Sequence, residues 1–135
     1  TLEYLETHGV PVLGYQTKKL PAFFTRESEF DLDYKIDTPK ELADIITAKW
    51  EMGLNGGVVI ASPIPVEYSM DYDEISKSIE EAVKEAEAKG IKGKESTPFL
   101  LAKIKEITKG KSLEANIQLV YNNAKLASEI AGNMK

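Results

Sequence analysis

The side chains that could do chemistry are few. Asn116 and Asn123 stand seven residues apart in a stretch that reads as helix, so they lie nearly above one another. Both sit at the edge of an apolar stripe formed by Leu113, Ile117, Val120, Ala124, Ala127 and Ala131. Asn is only a moderate helix residue, and burying its amide without a partner costs about 1–3 kcal/mol. Two readings are open: both amides bond a neighbouring loop, or one holds a ligand with a matching donor–acceptor edge. His8 is the only histidine and falls in the last turn of a short helix, where the dipole favours a cation; a capping or surface role is expected. With no cysteine and no second histidine, a His- or Cys-rich metal cluster is excluded. Asp31, Asp33 and Asp37, like Asp71 and Asp73, lack the glycine and downstream glutamate of a calcium loop and read as solvated acidic segments. Gly53-Leu54-Asn55-Gly56-Gly57 precedes a strand, whereas a phosphate-cradling glycine loop comes after one; it reads as a turn. Arg26 and Lys94 are lone cations in loops. Either could meet a phosphate, and a salt bridge or plain solvation is the simpler expectation. No complete catalytic constellation is present.

Composition bounds the rest. The 135 residues suffice for one domain with a real core, and 42% of them are hydrophobic. A net charge of −5 argues against a nucleic-acid backbone as partner. Absence of cysteine fits a reducing compartment, and a cytoplasmic location is expected. No apolar run has the length of a membrane span.

The elements that must position these groups begin abruptly. Leu2 and Leu5 already carry a helical pattern that Gly9 ends, which suggests a chain cut from something longer. Val10–Tyr15 predicts a short buried strand. Leu20–Arg26 is an aromatic segment with a basic end, and Glu27–Tyr34 a loop anchored by Phe30 and Leu32, with room for a short strand. Thr38-Pro39-Lys40-Glu41 is a capping box with proline at the first helical position. Leu42, Ile45, Ile46, Lys49 (through its stem) and Trp50 continue the period, and Gly53 stops it. Gly56–Ala61 predicts a fully buried strand that ends in Ser62-Pro63-Ile64-Pro65. A third helix opens at Asp71, with Ile75, Ile79, Ala82, Val83 and Ala86 inward; a fourth at Thr97-Pro98; the last at Ser112, whose hydroxyl is placed to cap it. Helices alternating with two or three strands make an α/β pattern. So few strands form a poor sheet alone, which predicts pairing with strands outside this chain.

Five blocks together resemble one family: Leu2–Tyr15, Leu20–Arg26, Gly57–Tyr68, Gly93–Leu101 and the final helix. In order and spacing they are similar to the C-terminal half of the pseudouridine-5′-phosphate glycosidases, also named after indigoidine synthase A. Ser62 stands where the family usually has Asn, and Ser96 where Val is usual. The resemblance implies that residues 1–135 are the C-terminal part of a single three-layer α/β/α domain, its mixed sheet completed by a missing N-terminal segment. It implies the reversible cleavage of pseudouridine 5′-phosphate to uracil and ribose 5-phosphate. A lysine just upstream of this chain would form a covalent, Schiff-base-type adduct, and an upstream glutamate would move protons. A manganese ion would be held by an upstream aspartate. No catalytic or metal-binding residue is then expected within the chain, and the segment alone should be inactive. Asn116 matches the asparagine that would bond uracil, while Asn122 and Asn123 are left as structural. The partners implied are the small-molecule substrate, the N-terminal segment of the same protein and two further copies in a homotrimer. The competing expectation is a non-catalytic α/β scaffold derived from that family.

Overall fold

The computed structural model describes residues 1–134. Its elements run α1 (Leu2–Thr7), β1 (Val12–Tyr15), β2 (Tyr34–Ile36), α2 (Pro39–Glu51), β3 (Val59–Ala61), α3 (Tyr72–Ala88), α4 (Ser96–Ile107) and α5 (Lys111–Asn133). Single turns of 3-10 helix at Val66–Tyr68 and Gly93–Glu95 precede α3 and α4. The sheet has the order β2-β1-β3. Leu13 lies beside Tyr34 and Ile60, Gly14 beside Lys35 and Ala61. Both pairings are parallel, and the antiparallel contacts among the described residues are the isolated bridges Lys19–Asp31 and Ala22–Thr25. Helices alternating with a parallel sheet make this an α/β fold. The antiparallel strand of a mixed sheet is not among these residues.

Local chemistry explains most boundaries. The Thr38 hydroxyl accepts from the Glu41 N–H while the Glu41 carboxylate accepts from the Thr38 N–H, so the expected capping box starts α2. Asp71 caps α3 by accepting from the Glu74 N–H at 2.9 Å. Gly14 can only be glycine, because a Cβ there would lie 2.2 Å from the Thr17 carbonyl oxygen. Two expected starts are displaced. α4 begins at Ser96, straight out of the 3-10 turn, rather than with Thr97 as cap. α5 begins at Lys111 with Gly110 before it, and Ser112 is buried inside the first turn, its N–H donating to the Thr108 hydroxyl.

Two apolar clusters hold the molecule together. One joins Phe24, Ile64, Ile75, Ala82, Ile104, Ala115 and Leu119, where α3, α4 and the first half of α5 meet the loop after β3. The other joins Leu13, Leu42, Ala43, Ile46, Leu126 and Ile130, where α2 and the second half of α5 cover the sheet face that carries Leu13 and Ile60. Strand side chains alternate, so Val12, Gly14 and Val59 point to the opposite face, where Val59 remains exposed.

The inward face of α5 differs from the expected one. Its buried residues are Ser112, Ala115, Leu119, Leu126 and Ile130. The stripe read from the sequence points outward, with Leu113 40%, Ile117 39% and Val120 58% exposed. Trp50 (54% exposed) and Phe30 also lie outside, whereas Leu32 is the buried anchor of its loop. On α3, Ile75, Ala82 and Ala86 face inward as expected; Ile79 and Val83 sit at the exposed border.

Candidate functional site

In a parallel sheet all the carboxyl ends open on one edge, and ligands of open α/β sheets bind there. Here that edge is formed by Gln16 after β1, Asp37 after β2 and Ser62 after β3. Gln16 is held with φ at +56°, in the left-handed region that is costly for a residue with a Cβ. Its N–H nevertheless extends the ladder to the Ile36 carbonyl at 2.8 Å, and its side-chain amide donates to the Asp37 carbonyl at 3.1 Å. These bonds hold the strained backbone in place.

The Ser62–Pro65 loop is fastened from two sides. The Arg26 guanidinium donates through Nη1 to the Ile64 carbonyl at 2.6 Å, so this cation is not isolated. From α5 the Asn122 amide donates to the Ser62 hydroxyl and to the Pro63 carbonyl, both at 3.2 Å. The two prolines deprive this loop of backbone donors, and Asn122 and Arg26 satisfy carbonyls that would otherwise be left without partners. Asn122 is thus the amide that bonds a neighbouring loop. Asn116 is half-buried one turn into α5 and donates no side-chain hydrogen bond among the described residues; Asn123 is exposed.

The remaining candidates resolve simply. His8 caps α1, exposed, with its ring 4.4 Å from that of Tyr4. Asp31 pairs with Lys19 at 2.7 Å and Asp37 with Lys35 at 3.0 Å. Asp71 and Asp73 serve the start of α3. The Gly53–Gly57 turn closes on Lys49, which is only 9% exposed and whose ammonium donates to the carbonyls of Leu54 and Asn55. The head group of Lys49, and not its stem alone, therefore matters. Lys94 is exposed in its 3-10 turn. Among the described residues no three His, Asp or Glu side chains gather as a metal site, and no helix is long and apolar enough to cross a membrane. The roles of Gln16 and Asn122 are not legible in the sequence: a glutamine does not announce a positive φ, and an amide's partner sixty residues away depends on the packing.

This arrangement has known counterparts. The profile of the family described as "Indigoidine synthase A like protein" matches residues 1–133. The pseudouridine-5′-phosphate glycosidase of Clostridium botulinum is 70% identical over 131 residues, which is 97% of this chain and 43% of that protein. The Escherichia coli protein of the same name is 59% identical, over 97% of this chain and 42% of its own length. Among solved structures, the prealnumycin C-glycosynthase in complex with ribulose 5-phosphate superposes with a TM-score of 0.88 at 32% identity, covering 99% of this chain and 44% of that one. An indigoidine synthase A-like protein of Thermotoga maritima gives 0.84 at 39% identity, covering 97% of this chain and 43% of that one. The chain therefore spans under half the length of the relatives it matches.

Proposed function

The chain belongs to the indigoidine synthase A-like family, and from that premise we propose that it is the C-terminal part of an enzyme acting on pseudouridine 5′-phosphate. Water and substrate would give uracil and ribose 5-phosphate, reversibly, by breaking the carbon–carbon bond between base and sugar. The observation that carries this reading is the 70% identity over 97% of the chain to a glycosidase of that name. The sugar phosphate bound by the C-glycosynthase relative supports the substrate class. In this reading residues 1–135 are part of one domain, and the nucleophilic lysine with its Schiff-base-type adduct belongs to a preceding segment. The outward stripe on α5 and the open sheet face around Val59 are the surfaces that segment would cover. A homotrimer in the cytoplasm completes the proposal. Manganese belongs to it only as an ion held by residues outside this chain, since no three His, Asp or Glu side chains gather among the described residues.

The part given to this chain is recognition of the base. Asn116 presents one amide donor and one amide acceptor, which a uracil edge can pair with, and it uses no donor elsewhere in the described structure. The test uses the full-length protein with pseudouridine 5′-phosphate, with uracil and ribose 5-phosphate monitored by chromatography. Turnover is expected, and Asn116→Ala should weaken uracil binding about tenfold, the worth of one good polar contact. Absence of any turnover would leave the non-catalytic scaffold. Turnover with unchanged uracil affinity in Asn116→Ala would remove Asn116 alone.

A further inference from the structure

We infer that the carboxyl edge of the sheet carries a binding site for a phosphate monoester or free phosphate, built on Arg26 and Lys18. A cavity of about 200 Å³ opens there, lined by Gln16, Lys18, Arg26, Glu27, Lys35 and Pro63. It draws on the turn after β1, on β2 itself and on the loop after β3, the position at which parallel sheets receive ligands. That volume is below the roughly 300–1,000 Å³ usual for drug-sized ligands, so it suits a small ion or the ionised end of a larger molecule.

The charge of the cavity runs against that of the chain. The molecule is −5 overall, yet three of the six side chains named are cations and one is an acid. Lys35 is engaged by Asp37 at 3.0 Å, an exposed pair that is weak and easily exchanged. Glu27 is the one acid of the lining and enters no ion pair among the described residues. Lys19, held protonated to higher pH chiefly by its hydrogen bond to Asp31, also feels the Glu27 charge. Lys18 and Arg26 enter no ion pair among the described residues.

Arg26 is the organising group. Its 2.6 Å bond to the Ile64 carbonyl uses one of five guanidinium N–H donors and anchors the head group at Nη1. A fixed guanidinium with donors to spare matches two oxygens of a phosphate at once. The Ile64 carbonyl belongs to the loop that Asn122 also holds, so the cation is set on a framework and not on a mobile chain. The left-handed Gln16 turns the chain sharply as it leaves β1 and brings Lys18 to the same opening; strain of this kind gathers at ligand clamps.

The experiment is calorimetric titration of the full-length protein with inorganic phosphate, ribose 5-phosphate and ribose, in wild type, Lys18→Gln and Arg26→Gln. Lys18 is exposed and its side chain makes no hydrogen bond among the described residues, so its variant keeps the fold; thermal unfolding checks Arg26→Gln. Phosphate affinity should fall about threefold in Lys18→Gln and about tenfold or more in Arg26→Gln, with ribose unaffected. If ribose 5-phosphate loses affinity in step and KM for pseudouridine 5′-phosphate rises at constant kcat, the site holds the substrate's own phosphate. If only inorganic phosphate is affected, the site takes a separate anion. Equal phosphate affinity in wild type and folded Lys18→Gln and Arg26→Gln overturns the inference. Binding is read directly, so this result is separable from any failure of the glycosidase reading.

Discussion

The two faces of α5 carry similar side chains and have opposite fates. The inner face, Ala115, Leu119, Asn122, Leu126 and Ile130, crosses both apolar clusters in turn. The outer face, Leu113, Asn116, Ile117 and Val120, has the more regular apolar spacing and meets little of the described chain. Each face also carries an amide. On the inner face Asn122 is committed to the Ser62–Pro63 loop, while on the border of the outer face Asn116 keeps its donors. Apolar periodicity shows that a face is meant to be covered; it does not show by what. A polar residue on a helix is structural or available according to the face it falls on, not according to its type.

The largest test of this contrast is a paired truncation measured by denaturant unfolding of the 135-residue chain. Leu126→Ala should cost about 2–5 kcal/mol, since it opens a hole where α5 meets the sheet. Ile117→Ala should change stability by about 0.5 kcal/mol or less, because little packs on it. Equal losses would mean that the outer stripe is buried after all. A smaller contrast sets the two amides against one another. Asn122→Ala should cost about 1–3 kcal/mol by orphaning the Pro63 carbonyl. Asn116→Ala should be neutral, or stabilising by a few tenths of a kcal/mol, because Ala is the better helix former.

The smallest effect comes from the ion pairs of Glu85 between α3 and α4, which involve no residue of α5 and serve as a baseline. Glu85 accepts from Lys89 at 2.6 Å and lies 3.0 Å from Lys103. Those hydrogen bonds, that from Lys89 foremost, hold its carboxyl below the usual value of 4.5. A lowered carboxyl pKa contributes stability that is fully present above 4.5 and is lost as pH falls through the lowered value. The unfolding midpoint tracked from pH 7 into acid should therefore show a small step that Glu85→Gln removes. A step of undiminished size in that variant would assign the titration to another carboxylate.

Much of the fold is legible in the sequence because it rests on local rules. Thr38-Pro39-Lys40-Glu41 closes its capping box with contacts three residues apart, and Asp71 caps α3 in the same way. Gly9 and Gly53 end their helices with positive φ, a choice the backbone makes without help from afar. Local rules mislead where two local answers are nearly equal. Ser112 could cap a helix or sit inside its first turn, and packing against Thr108 decides for the latter. Trp50 continues the α2 period, yet it stays 54% exposed.

The sequence by itself determined an α/β alternation, the capping box of α2, the cap of α3, the glycine stops and the family to which the five blocks point. These rest on residue type and on spacings shorter than a few turns. Only the tertiary structure decided which stripe of α5 faces inward, which asparagine holds the Ser62–Pro65 loop, that Lys49 closes a turn with its ammonium, and that Lys18 and Arg26 share an opening with the left-handed Gln16. Each of these depends on segments distant in sequence competing for one volume, and that competition is settled by packing and by satisfying every buried carbonyl, neither of which a single stretch of sequence can express.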